Sequence, residues 1–109
     1  MKIIDMALKP VYLEPTRTGT KRVEYRDLTE YWTQKLVDIE SYGGLDVRDV
    51  MDGLHDGTLE LKPRDWTHIL FHESGTGRTL LVKIRYIKVY RGHHNFHIGT
   101  EPTDEKMPT

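Results

Sequence analysis

The apolar residues of this chain come in short runs whose period shifts between about two and about 3.6, so strands and helices are expected to alternate along it. Residues 2–8, KIIDMAL, are apolar apart from one interior Asp and stop at Lys9 and Pro10, which predicts a first strand. Pro10 suits the first turn of a helix, where its missing N–H is not needed. Residues 11–18 are therefore expected to be a short helix closed by Gly19. Pro15 removes one hydrogen bond from its middle, so the helix is kinked or only about one to two turns long. Residues 21–26, KRVEYR, alternate as a strand does, with Val23 and Tyr25 on the face expected to meet the core and Arg22, Glu24 and Arg26 on the polar face. Asp27 is placed to cap a helix of about two to three turns in which Leu28, Tyr31, Trp32 and Leu36 recur at helical spacing, with Trp32 as a core anchor.

Between residues 37 and 65 the pattern weakens. Gly43 and Gly44 break the chain, LDVRDVMDGLHDG reads as a short amphipathic helix ended by glycine, and TLEL as a short strand, together a peripheral elaboration. Residues 66–71 are strand-like, and the turn ESGTG joins them to a second strand in a hairpin. That second strand, residues 80–90, places Leu80, Val82, Ile84 and Tyr86 on one face and Leu81, Lys83 and Arg85 on the other. Its apolar parity then flips to Ile87 and Val89, which predicts a bulge or a sharp coil. After RGHHN, residues 96–99 supply a last strand. Five to six strands, two or three short peripheral helices and no βαβ alternation predict an α+β, β-rich class: a small, mostly antiparallel β-barrel.

A length of 109 residues matches one domain, residues 1–109, able to close a core without staples. The absence of cysteine removes disulfides, thiolate nucleophiles and Cys-based metal sites, and it suits a reducing cytoplasm. No apolar run reaches the roughly 20 residues of a membrane span, so a cytoplasmic protein with no membrane partner is expected. With 16 basic against 17 acidic residues the net charge is −1, and nucleic-acid affinity would need a local patch rather than bulk charge. Residues 101–109, EPTDEKMPT, read as a frayed tail.

The densest polar group lies in residues 19–27. Glu24 and Arg26 stand two apart on a strand, hence on one face and about 7 Å apart, and Lys21 at the strand entrance can reach over the same face. An ammonium, a carboxylate and a guanidinium in one place can read a phosphate, a carboxylate or a base edge, or set up a proton transfer; the competing reading is an exposed face with ordinary ion pairs. Ser74 to Arg78, SGTGR, can cradle a phosphate through backbone N–H groups with Arg78 assisting, or can simply be a hairpin turn. His72 and Ser74, near the hairpin end, can reach the cleft or serve as ordinary edge residues. Lys83, Arg85, Lys88 and Arg91 make the best local basic patch, along which a phosphate backbone can track, or which is simply a solvated strand face. His93, His94 and His97 form an H-H-x-x-H cluster able to bind a metal, but with no cysteine nearby and no helical spacing, and His68 and His72 are about 13 Å apart along a strand, so no metal or other cofactor is expected.

The order Leu8-x-Pro10-x-Tyr12-Leu13-Glu14, then Gly19-x-Lys21-Arg22-Val23-Glu24-Tyr25-Arg26, a Trp-bearing helix, and a hairpin from Phe71-x-x-x-Gly75 to Leu80-Leu81-Val82-Lys83 resembles the ASCH domain family. The resemblance covers residues 2 to about 36 and 66 to 101, with G-x-K-x-V-E-x-R its specific part, and leaves 37–65 as an insertion. It implies a PUA-like β-barrel, a cleft lined by Lys21, Glu24 and Arg26, and an association with RNA or its modification. Some similar bacterial members are amidohydrolases acting on N4-acetylcytidine through a threonine activated by a lysine. Lys21 matches that lysine, but Glu24 stands where the threonine would, and a carboxylate does not replace a hydroxyl nucleophile. The expected function is thus a module binding RNA or a modified nucleoside through Lys21, Glu24 and Arg26, with Ser74, Arg78, Lys83 and Arg85 meeting the ligand. The alternatives are a hydrolase in the same cleft, with Lys21 and Glu24 catalytic and Glu24 orienting a water, and an accessory domain contacting a protein through residues 37–65.

Overall fold

The structure is a computed structural model and describes residues 1–103. It is α+β, with strands β1 (Ile3–Leu8), β2 (Val23–Asp27), β3 (His68–Glu73), β4 (Thr79–Val89) and β5 (Asn95–Thr100), and helices α1 (Pro10–Thr18), α2 (Glu30–Leu36) and α3 (Val47–Asp56). A 3-10 turn, Ile39–Tyr42, separates α2 from α3. The strands are hydrogen-bonded in the order β1-β3-β4-β5-β2. No helix among the described residues is long and apolar enough to cross a membrane.

The chain forms two compact units. One holds Met1–Glu24, Trp66–Tyr86 and the described residues from Ile98 on, and the other holds Tyr25–Asp65 and Ile87–His97. In the first unit, alternation and register act together. β1 runs parallel to β3 with Ile4 beside Ile69 and Met6 beside Phe71, and β4 runs antiparallel to β3 with Val82 beside Ile69 and Leu80 beside Phe71. Ile4, Ile69 and Val82 thus form one cross-strand row and Met6, Phe71 and Leu80 the next, all six buried. Burying each such side chain stabilises the fold by about 1.5–3 kcal/mol. The β1–β3 pair departs from the antiparallel expectation: strands more than sixty residues apart in sequence are not joined by a tight turn and are free to lie parallel.

Helix α1 starts at Pro10 as expected and ends at Gly19, whose φ of 87° is left-handed. It continues past Pro15 to Thr18, and the Pro15 carbonyl accepts from the Gly19 and Lys21 N–H groups at 3.1 and 2.9 Å. The helix therefore keeps its proline and uses the proline carbonyl to fold the following loop back. Residues 101–103, expected to fray, are tied down: Glu101 N–H donates to the Lys83 carbonyl and Thr103 N–H to the Arg17 carbonyl. The rest of that expected tail, 104–109, lies outside the described residues.

In the second unit the cap of α2 is Thr29, whose hydroxyl accepts from Trp32 N–H at 3.2 Å; Asp27, the expected cap, is the last residue of β2. Trp32 is half-buried, while Leu36 and Val37 are fully buried. α3 is capped by Asp46, which accepts from Asp49 N–H at 2.9 Å, and ends at Gly57. The segment TLEL is not a strand. The chain there is held by Tyr42, whose hydroxyl donates to the Glu60 carbonyl at 2.6 Å and accepts from Lys62 N–H at 2.8 Å, and by an isolated bridge between Val37 and Pro63. Burial of Tyr42 raises its phenol above the ordinary value. Residues 37–65 are more than peripheral elaboration, because Val37, Val50 and Leu54 are all part of the core.

Gly53 sits inside α3, where alanine would ordinarily gain about 1 kcal/mol of helix propensity. A Cβ there would stand 2.4 Å from Leu59 Cγ and 3.0 Å from Leu59 Cβ, and the latter cannot rotate away. Overpacking costs about 1–3 kcal/mol, so the clash wins. Gly53→Ala is expected to lower the denaturant midpoint, and Gly53→Ala with Leu59→Ala to recover part of that loss beyond the additive sum.

Candidate functional site

The loop after α1 is fixed by its backbone. Lys21 N–H is bound to the Pro15 carbonyl, the Arg22 side chain donates to the Gly19 carbonyl at 2.9 Å, and Thr100 N–H donates to the Arg22 carbonyl at 2.9 Å. This places the Lys21 ammonium 2.8 Å from Glu24 Oε2 and 5.2 Å from the centre of the Tyr12 ring. The two charged side chains keep only 22% and 11% of their surface in contact with water, whereas Tyr12 remains 42% exposed. A partly desolvated ion pair is electrostatically stronger than a surface one, and the adjacent ring attracts the same ammonium through its face.

β2 presents its faces the other way round from the expected assignment. Glu24 is buried and Tyr25 is 48% exposed, because Glu24 has a cationic partner to bury with and Tyr25 does not need to leave water. Arg26 belongs to the second unit, where its guanidinium lies 5.3 Å from the centre of the Trp32 ring and donates to the Tyr25 carbonyl at 2.7 Å. Lys21 and Glu24 are thus brought together as expected, and Tyr12, which periodicity gave no reason to select, joins them. The signal available for Tyr12 was its place on a helix that a glycine folds back toward Lys21.

At the β3–β4 hairpin, Arg78 is bound to Glu73 by two hydrogen bonds, Nε to Oε1 at 2.8 Å and Nη2 to Oε2 at 2.9 Å, and the Thr76 hydroxyl donates to the same carboxylate. The Glu73 side chain has no exposed surface, so the guanidinium acts as its cover. Ser74 N–H is spent on the Leu8 carbonyl at 3.0 Å. His72 faces Asp5, with Nε2 and Oδ1 2.8 Å apart. Lys83 and Arg85 are exposed on β4.

The histidines of the second unit are arranged with tyrosines. His97 meets Tyr25 and Tyr90 edge-on, each with ring centres 4.8 Å apart, and lies 5.5 Å from His93. His55 and His94 stack at 4.2 Å. Burial holds the His97 imidazole below its ordinary value of 6.5, and His93 adds to the effect. Among the described residues, no three His, Asp or Glu side chains are grouped as a metal ion would need. Tyr90 also lines a groove of about 390 Å³, together with apolar Leu54, Leu59 and Val89 and with Glu60, Lys88 and Arg91.

No protein family, no curated protein and no solved structure matches this chain.

The hydrogen bonds from Arg78 and Thr76 hold the Glu73 carboxyl below its ordinary value of 4.5. Folding therefore favours the ionised form, so this stabilisation is complete above pH 4.5 and is lost as pH falls through the lower folded-state value. Arg78→Gln should lower the melting temperature at pH 7, and the gap to wild type should narrow steadily in acid. A gap that stays constant from neutral pH to pH 3 would show that Glu73 does not respond to its partner.

Proposed function

We propose that this chain is a binding module for RNA or a modified nucleoside, of the kind its resemblance to ASCH domains implies, with the ligand's base at Lys21, Glu24 and Tyr12. The observation that carries the reading is the 2.8 Å Lys21–Glu24 pair beside an exposed ring. A nucleobase edge carries donors and acceptors side by side. The ammonium supplies a donor, the carboxylate an acceptor, and Tyr12 an aromatic surface, which together are what such an edge requires. A chain of net charge −1 must hold its ligand through local contacts of this sort. The small PUA-like β-barrel is the finer form of the α+β fold that goes with this reading, and a cytoplasmic location suits both.

Binding is favoured over hydrolysis by the same pair. The lysine nitrogen is engaged with Glu24 at 2.8 Å, and the position of the nucleophile is itself held by that carboxylate, which does not replace a hydroxyl.

Calorimetric titration of cytidine, N4-acetylcytidine and a short single-stranded RNA into the wild type and Lys21→Gln tests the proposal. Losing a charged hydrogen bond, worth roughly 1.5–3 kcal/mol, should weaken binding about tenfold or more. Identical affinities in the two proteins reject the site, and release of acetate from N4-acetylcytidine by the wild type would replace the binding reading with the hydrolytic one.

A further inference from the structure

The ring cluster of the second unit has features that a packed core does not need. Tyr25 and Tyr90 keep 48% and 44% of their surface, and His93 is exposed. In every ring pair described for them, the two tyrosines meet their neighbour edge-on or tilted, never stacked face to face. His97 lies among them with Nε2 buried and without a hydrogen-bond partner, so it serves as a spacer between the tyrosines rather than as a polar contact. Tyr90 is flanked by Lys88 and Arg91, all three exposed and all three lining the groove.

We propose that Tyr25, Tyr90 and His93 form a stacking platform for successive bases of single-stranded RNA, with phosphates passing Lys88 and Arg91. The proposal rests on the nucleic-acid reading above and deepens it, because a platform of several rings is useful to an oligonucleotide and superfluous to a free nucleoside. Every base has a π face, so tyrosine and imidazole surfaces hold bases without selecting sequence. The cations alone are too few for the task. Arg91 acts on the nearby Asp56 carboxylate, which is held below its ordinary range chiefly by Thr58 and further by Arg91, and Glu60 also lines the groove. The phosphate contribution is therefore small, and stacking dominates.

Calorimetry with decauridylate and with uridine separates the possibilities. The wild type should bind the decamer more tightly than uridine, with a salt slope of about one or two phosphates, near −0.7 to −1.4 in log affinity against log salt. Tyr90→Leu should weaken the decamer about tenfold while leaving uridine unchanged, and Tyr90→Phe, which keeps the ring, should stay within about twofold of wild type. Should Tyr90→Leu fail to fold, Tyr25→Leu and photo-crosslinking of a 4-thiouridine decamer to the wild type give the same reading, with crosslinks expected on Tyr25, Tyr90 or His93. Unchanged decamer affinity in both leucine variants, crosslinks confined to other residues, or a decamer bound no better than uridine would each overturn the platform. If Lys21→Gln loses uridine while the tyrosine variants keep the decamer, only the platform falls. If the wild type binds neither ligand, the platform falls together with the nucleic-acid reading.

Discussion

A β-strand shows successive side chains to opposite faces, and β4 must satisfy that rule in both compact units with one uninterrupted run. Its buried positions begin on even numbers, at Leu80 and Val82, while its exposed positions fall at 83 and 85 and then at 88. The change of face comes where the strand passes from one unit to the other, between Tyr86 and Ile87. In the first unit, Gly99 makes room for Tyr86. A Cβ at that position would stand 2.2 Å from the Tyr86 ring, so the absence of a side chain on β5 is what lets the tyrosine lie there. Within the first unit, Lys83 and Arg85 thus stay on the water side of the strand.

The second dependence runs through backbone carbonyls. Pro15 cannot donate, yet its oxygen accepts from Gly19 and Lys21, so the end of α1 and the entrance to β2 are fixed by one atom. Side-chain chemistry follows from that backbone link. Lys21 is aimed by the link, Glu24 can be buried because Lys21 is there, and Tyr12, on the helix that the link closes, meets the Lys21 ammonium with its ring.

Elements whose boundaries are set by proline, glycine or strict alternation were legible in the sequence: β1, α1, α3, the β3–β4 hairpin and the parity flip in β4. What escaped was decided by partners distant along the chain. Hydropathy puts Tyr25 inside and Glu24 outside, and only a contact made by an irregular loop reverses them. The cap of α2 moved from Asp27 to Thr29 because β2 continues through Asp27, which pattern alone does not reveal. TLEL has the composition of a strand, but its backbone partners are a tyrosine hydroxyl and a bridge rather than a ladder. The pairing of Lys21 with Glu24 was readable from the reach of a long side chain at the strand entrance, against its strand parity, whereas a ring cluster that joins residues 25 and 90 to 93 and 97 has partners distant along the chain.

The parallel pairing of β1 with β3 also bears on how the chain acquires its shape during synthesis. Lys2 and Thr67, which are hydrogen-bonded at the foot of that pair, are separated by 65 positions. At roughly 5–20 residues per second, a ribosome that has just released β1 needs several seconds more before its partner emerges. Throughout that wait an apolar strand has no native neighbour, and closing so long a loop makes the pairing a late event. β1 therefore has to be kept from other apolar partners until β3 has been made.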